Sequence, residues 1–189
     1  MKARVRIRTA LILVLWVPAA LAHDPPKIAI AVSGDRYSMN MHFVLKAPVK
    51  RVWEVLTNYA KIKRLNPNVR ESRVIYHGKQ MLLRLRIRSC VLFICFPITQ
   101  TESMTLHAPL EVSGVIIPAL SSFRSGSSRW RLHPVIGGTW VDFKALLVPS
   151  FYIPPILGSW IIQQKLHSEM RETARRLRAW VYAKRPYKA

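Results

Sequence analysis

Residues 156–181 carry apolar side chains at helical spacing over a longer run than any other segment of the chain. At 3.6 residues per turn, Ile156, Trp160, Gln163, Leu166, Met170, Thr173, Ala174, Leu177 and Val181 share one face, while Lys165, Glu172, Arg175 and Arg176 lie opposite. Pro154-Pro155 suits a helix start, because a first-turn proline forfeits no hydrogen bond. Pro186 suits a stop, with Lys184 and Arg185 placed near the negative end of the helix dipole. About 26 residues at ~1.5 Å each make a rod of roughly 40 Å. Such a rod needs a wide apolar surface to lie on, and the residues before it read as strands.

Residues 23–27 form a short proline-containing leader. Tyr37, Met39, Met41, Phe43 and Leu45 then alternate with Ser38, Asn40, His42 and Lys46, the pattern of a half-buried strand. After Ala47-Pro48 the period changes. Val49, Val52, Trp53 and Leu56 make the apolar side of a short helix, and residues 59–65 add a second helical turn or two before Asn66-Pro67. Strands dominate from Val69. One runs to Tyr76 and a turn at His77-Gly78; in the next, Met81, Leu83, Leu85 and Ile87 alternate with Arg84, Arg86 and Arg88. Residues 91–96 are apolar on both faces, and 98–106 alternate again. A connection over 109–114, a short strand over 115–120 and a polar loop over 121–128 follow. Residues 130–135 and 139–148 pair about Gly137-Gly138, with Val141, Phe143, Ala145 and Leu147 on one face. The fold class expected is α+β: a curved antiparallel sheet wrapped around a long C-terminal helix, with two short helices after the first strand.

Residues 1–22 read as a secretory signal: Lys2, Arg4, Arg6 and Arg8, an apolar run to Ala22, and Ala20-Leu21-Ala22 as the cleavage site before His23. The apolar run is shorter than the ~20 residues of a membrane span. Residues 23–189 then make one domain large enough for a full core. Export, to the periplasm, is the expectation. The formal charge is +21, and about +17 remains once the four leader cations are gone. This balance calls for an anionic partner. For an exported protein that partner is an anionic membrane surface rather than nucleic acid. Cys90 and Cys95, on one extended strand, would point to opposite faces too far apart to bond, and are expected as two small buried apolar residues.

Three stretches resemble the START/SRPBCC superfamily, and within it the coenzyme Q-binding START-like and polyketide cyclase/dehydrase group. They are Ala47-Pro48-Val49 with Val52-Trp53, Leu56-Thr57-Asn58-Tyr59, Asn66-Pro67, Val69 and Ser72; Phe123-Arg124-Ser125-Gly126-Ser127-Ser128-Arg129-Trp130; and Pro149 with Pro154-Pro155 and Gly158. The resemblance spans roughly residues 39–181 and implies a Bet v 1-like helix-grip fold with an apolar cavity between sheet and helix. Members bind lipids, sterols, quinones or polyketides, and a minority are enzymes.

On that basis the cavity is expected to be lined by Met41, Phe43, Leu85, Ile87, Phe93, Trp130, Phe143, Leu147, Trp160, Gln163, His167 and Met170. Gln163 and His167 lie on the apolar stripe, where each either bonds a neighbouring strand or water, or contacts a ligand head. Lys61, Lys63, Arg64, Arg70 and Arg73 would form a basic collar at the cavity entrance, each worth about 1 kcal/mol near an anionic bilayer. No catalytic set, metal-ligand spacing or phosphate loop stands out, so no catalytic residue, metal or cofactor is expected. Glu102 alone among the strand carboxylates shares an alternation with apolar residues (Ile98, Met104, Leu106), either as a cavity base or as a rim residue paired with an arginine. The function expected is binding or transfer of a small hydrophobic ligand by a monomer. The rivals are a cyclase/dehydratase-type enzyme and a basic module for acidic envelope polymers.

Overall fold

The computed structural model describes residues 24–183. The expected signal peptide, the cleavage site before His23 and the stop at Pro186 lie outside the described residues. Eight antiparallel strands form one curved, unclosed sheet in the order β1-β2-β8-β7-β6-β5-β4-β3. They are β1 (Lys27–Ser33), β2 (Arg36–Leu45), β3 (Val69–His77), β4 (Gln80–Val91), β5 (Ile94–His107), β6 (Glu111–Ile116), β7 (Phe123–Val135) and β8 (Gly138–Pro149). A short helix α1 (Val49–Leu56) and a 3-10 turn (Tyr59–Arg64) lie between β2 and β3, and the long helix α2 (Ser159–Tyr182) follows β8. This is the helix-grip α+β architecture.

The grip follows from the two periodicities. Tyr37, Met39, Met41, Phe43 and Leu45 of β2 are buried, as the alternation requires. Met170, Ala174, Leu177 and Val181 of α2 are buried against them in one cluster with Val52, Val55 and Leu56 of α1. Leu177 is fully buried, so Leu177→Ala costs about 2–5 kcal/mol. The far end of α2 is tied down by Arg51, whose guanidinium donates to the Trp180 and Val181 carbonyls at 3.3 Å. Those carbonyls have no partner within the helix, and a cation suits their negative end.

Several expectations are corrected. Cys90 and Cys95 are disulfide-bonded. Residues 91–96 are not one strand: β4 turns back into β5 at Leu92-Phe93, which sets Cys90 opposite Cys95 and Val91 opposite Ile94. The turn needs a left-handed residue, and Leu92 supplies it at φ 54. No Gly, Asn or Asp marks the spot. Phe93 consequently stands at the tip, 82 % exposed, and lines no cavity.

β1, unassigned in the sequence reading, pairs along its whole length with β2. The expected loop over 121–128 is mostly the first half of β7, held between β6 and β8. The expected connection over 109–114 contains the start of β6. Finally, α2 begins at Ser159 rather than Ile156, because Gly158 takes a non-helical backbone after a separate 3-10 turn over Pro155–Leu157.

Candidate ligand-binding site

Between α2 and the concave face of the sheet lies a cavity of two adjoining lobes. The inner lobe, about 240 Å³, is walled by Met41, Leu83, Leu85, Trp130 and Phe143 from the sheet, Ile62 and Leu65 beside β3, and Met170 from α2. The outer lobe, about 220 Å³, is walled by Val91, Phe96, Ile98, Phe151, Leu157 and Ile162. Met39, Asn66, Ile87, Gln100, Leu166 and Glu169 line both. Pockets for small molecules run to about 300–1,000 Å³. Each lobe alone falls short of that range, and the two, which share those six walls, reach it when taken together.

The alternation of β4 and β5 places the inner walls. Leu83, Leu85 and Ile87 point in, while Arg86 and Arg88 are exposed on the other face. On β5, Ile98, Gln100, Glu102 and Met104 point in by the same rule. The outer face of β5 is covered by the 117–122 connection, where the Thr101 hydroxyl donates to the Leu120 carbonyl at 2.8 Å. Trp130 and Phe143, opposite each other on β7 and β8, hold their ring centroids 4.3 Å apart.

Few polar groups enter the cavity. Glu102 is 4 % exposed; Gln100 Nε2 donates to its Oε1 at 3.1 Å and Ser128 Oγ to its Oε2 at 3.2 Å. Burial pushes its carboxyl above the ordinary carboxylate value, and those two donors pull the other way. Tyr59 is 8 % exposed and its hydroxyl has no hydrogen-bond partner among the described residues. Burial, and secondly the nearby Glu102 charge, pushes that phenol up to about 12. Glu169 of α2 lies where the lobes meet. It accepts from Asn68 Nδ2 at 2.9 Å and Ser89 Oγ at 3.2 Å, and pairs with Lys165 at 3.0 Å.

Of the residues expected at the cavity, Met41, Leu85, Ile87, Trp130, Phe143 and Met170 line the inner lobe, and Leu147 and again Ile87 the outer. Phe43 belongs instead to the closed core with Leu45, Val141 and Leu177. Phe93 is at the hairpin tip. Trp160 is 68 % exposed and lines neither lobe. Gln163 and His167 face an outer groove with Ile30 and Arg171, since β1 flanks that side of the helix. The pair thus borders the edge strand of the sheet but lines neither lobe, so the expected contact with a ligand head in the cavity is corrected.

Glu102 is a cavity carboxyl, and the rim pairing is excluded: no arginine or lysine pairs with it among the described residues. Lys61, Lys63 and Arg64 are exposed on the outside of the 3-10 turn, with Arg64 over the Trp180 ring at 5.5 Å. Arg70 is exposed on β3, and Arg73 beside it is bonded to Glu71. Sequence reasoning gave Tyr59 no role. Its signal is the spacing Tyr59, Ile62, Leu65, every third residue, which in a 3-10 helix puts all three on one face.

An open sheet gripping a long helix around an apolar cavity defines a class of small-ligand proteins. Residues 36–181 match the polyketide cyclase / dehydrase and lipid transport family, and the chain belongs to it. No curated protein is recognisably related by sequence. Solved structures share the fold at low identity. A Thermus thermophilus protein aligns with TM-score 0.62 and 14 % identity over 76 % of this chain and 96 % of its own. A STAR-related lipid transfer protein of Xanthomonas axonopodis aligns with TM-score 0.59 and 16 % identity over 85 % and 100 %. The Zhui aromatase/cyclase of Streptomyces aligns with TM-score 0.55 and 14 % identity over 77 % and 91 %. The chain spans half the length of the di-domain aromatase/cyclase StfQ of the steffimycin pathway.

Proposed function

We propose that this protein binds a small lipophilic ligand, such as a fatty acyl, isoprenoid or quinone-type molecule, and carries it outside the cytoplasm next to an anionic membrane. The observation that carries the reading is the two-lobed apolar cavity between sheet and α2. Hydrocarbon placed there leaves water at a gain of about 25 cal/mol per Å². Family membership supports a hydrophobic ligand. The Cys90–Cys95 bridge supports an oxidising compartment, as does the signal-like leader. The formal charge of +21 and the exposed Lys61, Lys63, Arg64 and Arg70 support an anionic surface as partner.

Native mass spectrometry of protein taken gently from its own cell envelope tests the binding. A bound mass extractable into organic solvent is expected; protein that is empty and does not bind a fluorescent acyl probe would defeat the reading. The membrane part is tested separately. Reversing Lys61, Lys63 and Arg64 to glutamate should remove more binding to anionic vesicles than the same change at Arg84, Arg86 and Arg88. Equal losses would leave only net charge, without oriented docking.

A second reading is favoured by one observation. A buried carboxyl held above its ordinary value inside a cavity, as Glu102 is, can act as the acid or base of a cyclase/dehydratase reaction. Turnover of a bound polyketide-like substrate, lost in Glu102→Gln while binding persists, would establish it over simple carriage.

A further inference from the structure

The inner lobe carries polar groups that the sequestration of hydrocarbon does not require. Tyr59 and Glu102 are each more than nine-tenths buried, and both border the same space. The Tyr59 hydroxyl has an unspent proton, since no acceptor among the described residues reaches it. Each Glu102 oxygen already accepts one hydrogen bond and retains capacity for another. The space is built deliberately. A Cβ on Gly114 of β6 would lie 2.5 Å from Glu102 Oε2 and 3.1 Å from Met104 Sδ, so only glycine at that position lets the carboxyl occupy this site.

Charge narrows the choice of ligand head. The chain has 30 lysines and arginines, yet among the described residues no lysine, arginine or histidine lines the inner lobe. The cation nearest in the cavity, Lys165, borders the outer lobe and is engaged by Glu169. A carboxylate or phosphate pushed into the inner lobe would meet Glu102 without a counter-charge, at a high desolvation cost. An ammonium could pair with Glu102 but offers the Tyr59 proton no acceptor. A hydroxyl does both.

Resting on the ligand-binding reading above, we propose that the inner lobe receives the hydroxyl end of the ligand, which donates to the Glu102 carboxyl and accepts from Tyr59 Oη. The protein therefore selects neutral long-chain alcohols over the corresponding acids and amines. The hydrocarbon runs past Ile87 and Leu166 into the outer lobe. Any solvent molecule serving Tyr59 beforehand is exchanged for the ligand hydroxyl, which reproduces its hydrogen bonds. Because burial raises the phenol, Tyr59 stays a donor at neutral pH.

The test is displacement of a fluorescent acyl probe from the full chain at pH 7 by 1-dodecanol, dodecanoic acid and dodecylamine. Dodecanol is expected to displace it at concentrations about tenfold below either charged analogue. Tyr59→Phe should weaken dodecanol about three- to tenfold, leave the acid and amine unchanged, and leave the melting temperature unchanged or raised, since the hydroxyl has no partner among the described residues to lose. Glu102→Gln, which exchanges an acceptor oxygen for a donor amide, should shrink the preference of alcohol over acid. Displacement alike by all three heads would sink the inference while leaving the binding reading standing. So would tighter binding of the acid or amine, or a Tyr59→Phe variant that melts lower with the alcohol preference intact. Failure of the probe to bind at all would take down the binding reading and this inference together.

Discussion

The inner lobe is walled by the middles of strands and helices, the outer lobe largely by their ends. Leu83 and Leu85 of β4, Trp130 of β7, Phe143 of β8 and Met170 of α2 sit where the ladder and the helix fix each side chain from both directions. Around the outer lobe, Phe151 and Leu157 come from the β8–α2 connection, and Val91 borders the Leu92-Phe93 turn. Close by in sequence are the exposed Leu92, Phe93, Tyr152, Ile156 and Trp160. The polar groups divide the same way. Those of the inner lobe are buried with hydrogen-bonding capacity unspent, whereas Glu169 at the boundary is already engaged by Asn68, Ser89 and Lys165. A rigid wall with unspent polar capacity suits selection, and a wall of chain ends suits passage.

The contrast breaks most sharply at Gly114. Gly114→Val puts atoms onto the Glu102 carboxyl, and overpacking of this kind costs about 1–3 kcal/mol. Denaturant unfolding should show that loss together with the disappearance of any head-group preference, and an unchanged preference would mean that the carboxyl does not read the ligand. Next is the outer lobe. Replacing Cys90 and Cys95 by serine removes a short crosslink worth about 2 kcal/mol on the chain-entropy account. Amide exchange should quicken around residues 88–98, with the protection of β7 and β8 retained; uniform loosening would deny the two lobes separate stability.

A smaller effect is expected in the pH dependence of the inner lobe. The folded-state value of Glu102 is raised, so the folded protein binds its proton more tightly than the unfolded chain. Stability contributed by that proton is full at low pH and is lost as pH climbs from the ordinary carboxylate value through the raised one. Wild type should therefore lose ground to Glu102→Gln across that window in melts run at stepped pH. Tyr59 acts with the same sign between 10 and about 12, and Tyr59→Phe should remove that alkaline loss. Smallest of all, Leu92→Ser with Phe93→Ser should change folding stability by no more than about 0.5 kcal/mol, because both side chains are exposed at the turn. Any loss should be confined to vesicle binding, measured by co-sedimentation.

Periodicity makes the inner lobe legible in the sequence. The alternation of β2, β4 and β8 and the stripe of α2 bring Met41, Leu85, Phe143 and Met170 to one volume. Periodicity assigns a face to a residue and leaves open whether another element covers that face. Trp160 is on the stripe, yet no element among the described residues covers it and it is 68 % exposed. Gln163 and His167 turn toward β1, a short strand in which Ile28, Ile30 and Val32 alternate with Ala29 and Ala31. The β4–β5 turn was hidden because Leu92-Phe93 contains no turn former; the ladder and the Cys90–Cys95 bridge impose the left-handed backbone that the residues themselves disfavour. The first half of β7 was hidden for the opposite reason. Its serines and glycine look like loop, yet Gly126 is required where a Cβ would come within 2.8 Å of the Leu146 carbonyl oxygen.

The central claim is that the space between sheet and α2 holds a ligand, and Phe143 offers the most direct access to it. Phe143 stands in the inner wall with its ring against Trp130, so Phe143→Trp fills part of the lobe without adding a charge. Titration of wild type and Phe143→Trp with the same fluorescent acyl probe, with circular dichroism to confirm an intact fold, is the measurement. Weakened affinity in the folded variant is the result expected. Equal affinity, with both proteins folded, would contradict the cavity as the binding site.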